Sequence, residues 1–216
     1  MPAICGIALA LCFFSPAIFG LTNSPAPTAA STKHIVFLGD SLTAGLGVQT
    51  TEAFPALIAE KIRAAGLPFD VENAGLSGDT SAGGLRRIDW LLQRRIDVLV
   101  LELGANDGLR GLDLKSMKAN LQEIIDKTKA KNPQVKIVLA GMQVPPNLGA
   151  EYATGFERAY SELARENNAV LIPFLLEGVG GHRDLNQQDL IHPTAAGHRI
   201  VADLVWRTLE PILRAK

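Results

Sequence analysis

Short continuous apolar runs alternate along the chain with stretches whose apolar residues recur every three or four positions, so strands and helices are predicted in turn. Ile35 to Leu38, β-branched and aromatic, reads as a strand covered on both faces. Pro55 suits a first helical turn, and Phe54, Leu57, Ile58 and Ile62 share one face until Gly66 stops the run. Phe69 and Val71 mark a second strand; Leu85, Ile88, Leu91 and Leu92 form the next helical stripe. Val98 to Leu103 is the most apolar run, which predicts a central strand.

Asp113 is placed to cap a helix carrying Leu114, Met117, Leu121, Ile124 and Ile125, with Asn132-Pro133 at its end. Val135 to Ala140 and Ala169 to Ile172 supply two more strands, separated by a helix marked by Tyr152, Phe156, Tyr160 and Leu163. A last helix places Ile200, Val201, Leu204, Val205 and Leu209 on one side, with Pro193 as its first residue. Such alternation, joined by right-handed crossovers, predicts a flavodoxin-like α/β fold. It is a three-layer sandwich over a five-stranded parallel sheet in the order 2-1-3-4-5.

In an open α/β sheet ligands bind beyond the carboxyl ends of the strands. Four loops there are therefore of interest: Gly39 to Gly45, Asn73 to Thr80, Gly104 to Gly111 and Asp184 to Thr194. Arg86, Arg87, Arg94 and Arg95 read as a solvated helix face rather than an anion site.

Composition narrows the class. With 216 residues, 47% hydrophobic and 20% charged, the chain has enough apolar material for one domain with a sizeable core. A net charge of −1 without a run of lysine and arginine gives no footprint for a nucleic-acid partner. Ala3 to Gly20 are almost entirely apolar and are followed by an aperiodic Pro/Thr/Ser/Ala stretch, so residues 1–32 read as an export signal and short tether preceding a single domain at 33–216. Small residues at Ser24 and Ala26, or at Thr28 and Ala30, suit a cleavage site; the n-region lacks lysine and arginine, which leaves an uncleaved anchor as the alternative. Cys12 follows Leu11, a poor residue before a lipidation site. Both cysteines, Cys5 and Cys12, lie in this leader, so a cleaved chain would hold no disulfide, zinc thiolate or cysteine nucleophile.

Candidate chemistry sits at the four strand ends. Ser41 follows the first strand beside glycines that let a substrate approach, although Gly-Asp-Ser alone is a common turn composition. Asp189 and His192, three residues apart, can meet on one turn, the carboxylate holding one ring nitrogen while the other takes a proton from a serine hydroxyl. Asn106 after the third strand can donate its amide to an oxyanion, and backbone N–H groups at Ser41 and Gly78 can supply two more donors. Each motif alone is as readily a turn or a cap; four at four strand ends form a constellation. Lone His34, His182 and His198 read as surface residues.

The blocks Gly39-Asp40-Ser41-Leu42, Ser77-Gly78-Asp79-Thr80, Gly104-Ala105-Asn106-Asp107 and Asp189-Leu190-Ile191-His192 resemble those of the SGNH (GDSL) hydrolases. The flanking Leu101-Glu102-Leu103-Gly104 and Gly108-Leu109-Arg110-Gly111 resemble the bacterial branch called acyl-CoA thioesterase I, arylesterase or lysophospholipase L1. The resemblance implies an exported, periplasmic or secreted, monomeric serine hydrolase without metal or cofactor, acting on small-molecule esters and thioesters with an acyl chain and keeping no membrane span once mature. It implies Ser41 as nucleophile, His192 as general base oriented by Asp189, and Ser41 N–H, Gly78 N–H and Asn106 as the oxyanion hole. Asp40 and Asp107 then read as carboxylates bracing their turns.

Three alternatives remain at this level. The same triad can serve a carbohydrate acetylesterase, against which stand the apolar residues Leu76, Leu109, Pro145, Pro146 and Leu148 expected near the crevice. Asp40, Asp107 and Asp189 can be imagined around Mg²⁺ in a phosphohydrolase, though no lysine stands near them in sequence. The last is a non-catalytic, flavodoxin-like binding module.

Overall fold

Five strands and seven α-helices make up the computed structural model of the chain, which describes residues 1–3, 32–144 and 146–215. The expected leader, its cleavage sites, Cys5, Cys12 and Pro145 lie outside the described residues. Contacts divide the chain into residues 1–30 and 31–216, and the fold described here is that of the second unit.

The strands are β1 (Lys33–Gly39), β2 (Phe69–Gly75), β3 (Val98–Glu102), β4 (Lys136–Ala140) and β5 (Val170–Ile172). All pair in parallel in the order β2-β1-β3-β4-β5, as the alternation predicts. Every residue of β3 is buried, in keeping with its central place, whereas the edge strand β2 is half exposed. The second strand runs on through Asn73 and Ala74 to Gly75, residues that the polar pattern assigns to a loop; pairing of Gly75 with Gly39 extends the ladder to the foot of the site.

The helices are α1 (Ser41–Ala44), α2 (Phe54–Ala64), α3 (Ser81–Leu91), α4 (Ala105–Leu109), α5 (Leu114–Lys131), α6 (Ala150–Asn167) and α7 (Ala195–Arg214). Helices α2 and α7 pack together, and α3, α5 and α6 pack side by side, covering the sheet on both faces. Asp113 caps α5 as expected, its carboxylate accepting from Ser116 N–H. The core runs without a break from β1 and β3 to the inner faces of these helices, where Phe37, Phe54, Phe156 and Tyr160 are fully buried. Burial of each such side chain contributes about 1.5–3 kcal/mol.

Three expectations are corrected. Pro193 does not begin the last helix; it pairs with Asn186 in an antiparallel bridge, and Thr194 is the cap, its hydroxyl accepting from Gly197 N–H. A side-chain acceptor satisfies an orphan donor there, which proline cannot do. Ile200 is exposed at the edge of α7, whose buried stripe includes Val201, Ala202, Val205, Leu209 and Leu213. His198 is not a surface residue: at 1% exposure it is buried against Phe54.

Candidate active site

The site begins with a register. Gly39, the last residue of β1, pairs with Gly75 on one side and Glu102 on the other. A Cβ at Gly39 would collide with Thr43 Oγ1 and Glu102 Oε2, and one at Gly75 with the backbone of Ala44, so α1 can fold down onto the strand ends only because both residues are glycines. Two of the four predicted loops thus contain one-turn helices, α1 and α4, rather than irregular chain.

Asp40 caps α1. Its Oδ1 accepts from Leu42 N–H at 3.0 Å and its Oδ2 from Asn106 Nδ2 at 3.0 Å, so one carboxylate braces both the Ser41 turn and the β3 loop. Asp40 is almost completely buried, and that desolvation raises its pKa to about 6 against the pull of Leu42, Asn106 and the His192 charge. Beneath it lies Glu102, whose Oε2 accepts from Asp40 N–H at 3.2 Å and Thr43 Oγ1 at 2.7 Å. Its Oε1 is buried with no partner among the described residues. Burial first, and the Asp40 charge second, push the Glu102 carboxyl well above its ordinary range.

Asp107 braces the neighbouring turn, accepting from Ser81 N–H at 2.8 Å and Ser81 Oγ at 2.6 Å. Arg87 overturns its assignment to a solvated face. It donates to Gly39 O, Ala74 O and Asp79 Oδ2 at 2.9, 2.7 and 2.7 Å, joining the ends of β1 and β2 to the loop that leads into α3. Arg86, Arg94 and Arg95 are exposed as expected.

Ser41 stands at the first position of α1, 8% exposed. Its Oγ lies 2.8 Å from His192 Nε2, and His192 Nδ1 lies 2.6 Å from Asp189 Oδ2. Because an ionised carboxylate can only accept, Nδ1 carries the hydrogen and Nε2 is left to accept from the serine. Asp189 Oδ1 also accepts from Ile191 N–H and His192 N–H, at 2.9 and 3.0 Å. These donors, the His192 backbone foremost, hold the Asp189 pKa down to about 2.

Gln187, which the sequence pattern does not single out, fastens this loop. Its N–H donates to His192 O at 2.7 Å, and its Nε2 donates to Pro193 O at 3.1 Å and across to Leu46 O, just beyond α1, at 2.6 Å. Gly78 has φ +80° and its carbonyl accepts from Arg110 at 3.1 Å. Among the described residues the N–H groups of Ser41 and Gly78 donate to no protein acceptor.

A cavity of about 350 Å³ opens at Ser41, Asn106 and His192. Leu109 lines it as expected, but Leu76 and Leu148 do not; its other apolar walls include Met142, Val144, Phe174, Leu176, Leu190 and Ile191. These residues reach the site through tertiary packing of the loops after β4 and β5, and local sequence carries no signal for it. The carboxylates of the Mg²⁺ reading are committed elsewhere, Asp40 to Leu42 and Asn106, Asp107 to Ser81, and Asp189 to His192. Among the described residues no three metal-binding side chains converge.

The sequence pattern of the GDSL-like lipase/acylhydrolase family matches residues 37–200. An esterase named TesA from Pseudomonas aeruginosa is 40% identical over 185 residues, which cover 85% of this chain and 91% of that protein. Thioesterase 1/protease 1/lysophospholipase L1 from Escherichia coli is 36% identical over 186 residues, covering 86% and 87%. In structure the chain is similar to the psychrotrophic esterase EstA from Pseudoalteromonas, inhibited by monoethylphosphonate. The TM-score is 0.80 at 34% identity, over 85% of this chain and 100% of that one.

Proposed function

The chain belongs to the GDSL-like lipase/acylhydrolase family, and from that premise we propose that it is a serine esterase and thioesterase working through an acyl-enzyme on Ser41. The observation that carries the reading is the row Ser41 Oγ, His192 Nε2, His192 Nδ1, Asp189 Oδ2, at 2.8 and 2.6 Å, opening on an apolar-walled cavity.

Ser41 Oγ attacks the carbonyl carbon of the ester while its proton passes to His192 Nε2. Asp189 keeps the ring in the tautomer this requires and stabilises the imidazolium. The tetrahedral oxyanion takes hydrogen bonds from Ser41 N–H, Gly78 N–H and the Nδ2 hydrogen of Asn106 that Asp40 does not hold; each such donor is worth about 3 kcal/mol in the transition state. His192 gives its proton to the departing alcohol or thiol, then activates water to release the acid and free Ser41.

The apolar walls favour lipid-like acyl groups, with aryl esters, acyl-CoA and lysophospholipids as the substrate classes, over acetylated sugars. Residues 1–32 are assigned to export and tethering and 33–216 to a monomeric catalytic domain, working in the periplasm or outside the cell. No helix among the described residues is long and apolar enough to cross a membrane.

The test is hydrolysis of p-nitrophenyl esters of increasing chain length by the full chain, alongside Ser41→Ala and an EDTA control. Turnover is expected to fall at least about 10⁴-fold in Ser41→Ala with an unchanged far-UV spectrum, to be unaffected by EDTA, and to be lost with stoichiometric labelling of Ser41 by an alkylphosphonate. Full activity in Ser41→Ala removes the nucleophile assignment.

A further inference from the structure

Leu190 has φ +59°, and among the described residues the only other non-glycine with positive φ is Asn168. Asn168 is the left-handed C-cap of α6, a conformation asparagine tolerates. A leucine there sets its Cβ against the following carbonyl, a clash that costs about tenfold in the folding equilibrium.

The surrounding hydrogen bonds explain the backbone. Leu190 N–H donates to Gln187 O at 2.9 Å, Gln187 N–H donates to His192 O at 2.7 Å, and Asp189 Oδ1 takes the N–H groups of Ile191 and His192. The chain must turn at Leu190 for Asp189 and His192 to face each other at 2.6 Å. Glycine would make that turn without strain, so the backbone gives no reason for a leucine. Nor does the core, because Leu190 is 43% exposed. Its side chain lines the cavity at Ser41, together with Ile191 and Leu109, which are 41% and 44% exposed.

We propose that Leu190 is a specificity-determining residue, an apolar lip held in a strained conformation beside the general base, which grips the acyl chain of an ester bound at Ser41 and favours chains long enough to reach it. This rests on the esterase reading above. Each methylene that the lip covers is worth about fourfold in binding, so contact with two carries a preference of roughly ten- to twentyfold.

Leu190→Ala, Leu190→Gly and Leu190→Met are compared with wild type for kcat/KM on p-nitrophenyl octanoate and acetate, and for urea unfolding. The octanoate-to-acetate ratio is expected to fall about tenfold in the alanine and glycine variants. Acetate hydrolysis should fall less than octanoate hydrolysis, and methionine should keep the ratio within about twofold. The glycine variant is expected to exceed the alanine variant about fivefold in folding equilibrium constant, the reverse of the usual order. An unchanged ratio, or equal losses on both esters, overturns the specificity role, the second outcome assigning Leu190 to placement of His192. An alanine variant as stable as the glycine one overturns the strain. Failure of the esterase reading shows separately, as a wild type without ester turnover or one indifferent to Ser41→Ala, and removes both.

Discussion

Glu102 places a carboxyl group at the floor of the site, fully buried under the turn that carries Ser41. Burial and the Asp40 charge raise its pKa and so favour the protonated form, which glutamine resembles, and glutamine should replace it with little loss. Glu102→Gln is expected to stay within about 1 kcal/mol of wild-type stability at pH 7, while Glu102→Ala, which strips acceptors from Asp40 N–H and Thr43, should cost about 3 kcal/mol by urea unfolding. The linkage has a definite sign. A folded-state pKa above the unfolded value near 4.5 means the native state keeps the proton longer. Wild type should therefore lose stability, relative to Glu102→Gln, as pH rises above that value. Ser41 and Asn106 were legible because polar groups beside glycines directly after apolar strands stand out, and Asp189 and His192 because a carboxylate three residues before a histidine can reach its ring. Arg87 was not, because its helical neighbourhood of arginines gives the pattern of a wet face, and only the fold brings two carbonyls and Asp79 within its reach.

Between elements, the contact of α2 with α7 shows what a periodicity argument misses. Ala53 offers no side-chain cap to α2, and the orphan Phe54 N–H donates instead to Nδ1 of His198 on α7, 3.3 Å away, with the two rings stacked at 6.3 Å. A helix end is capped here from another helix, and the local sequence of α2 records nothing of it. Burial foremost, with a smaller push from the His192 charge and against the pull of Glu52, lowers the His198 pKa to about 4. The native state thus holds a neutral ring, and its contribution is complete above about pH 6.5 and lost as pH falls toward about 4. His198→Gln, which keeps an acceptor without titrating, should lose about 1–2 kcal/mol less than wild type between pH 7 and 4.5 in urea unfolding. Equal losses would mean that His198 does not titrate against the fold. The strand order, by contrast, was readable in advance, since five apolar runs separated by helical stripes admit few right-handed arrangements.

At the scale of the whole molecule, the site gathers groups from the end of β1, the end of β3 and the long loop before α7, and the Ser41–His192 hydrogen bond spans 151 positions of sequence. The early strands can pair while the segment bearing His192 is still free, because contacts of such separation are the most expensive in loop closure. On dilution from urea, far-UV signal is therefore expected to return before p-nitrophenyl ester hydrolysis, measured in parallel; coincident recovery would mean a single cooperative step. Timing follows from this geometry. A nascent chain holds Ser41 without its histidine until the segment around His192 has docked, so the row of hydrogen bonds at the site is completed only after the sheet that presents it.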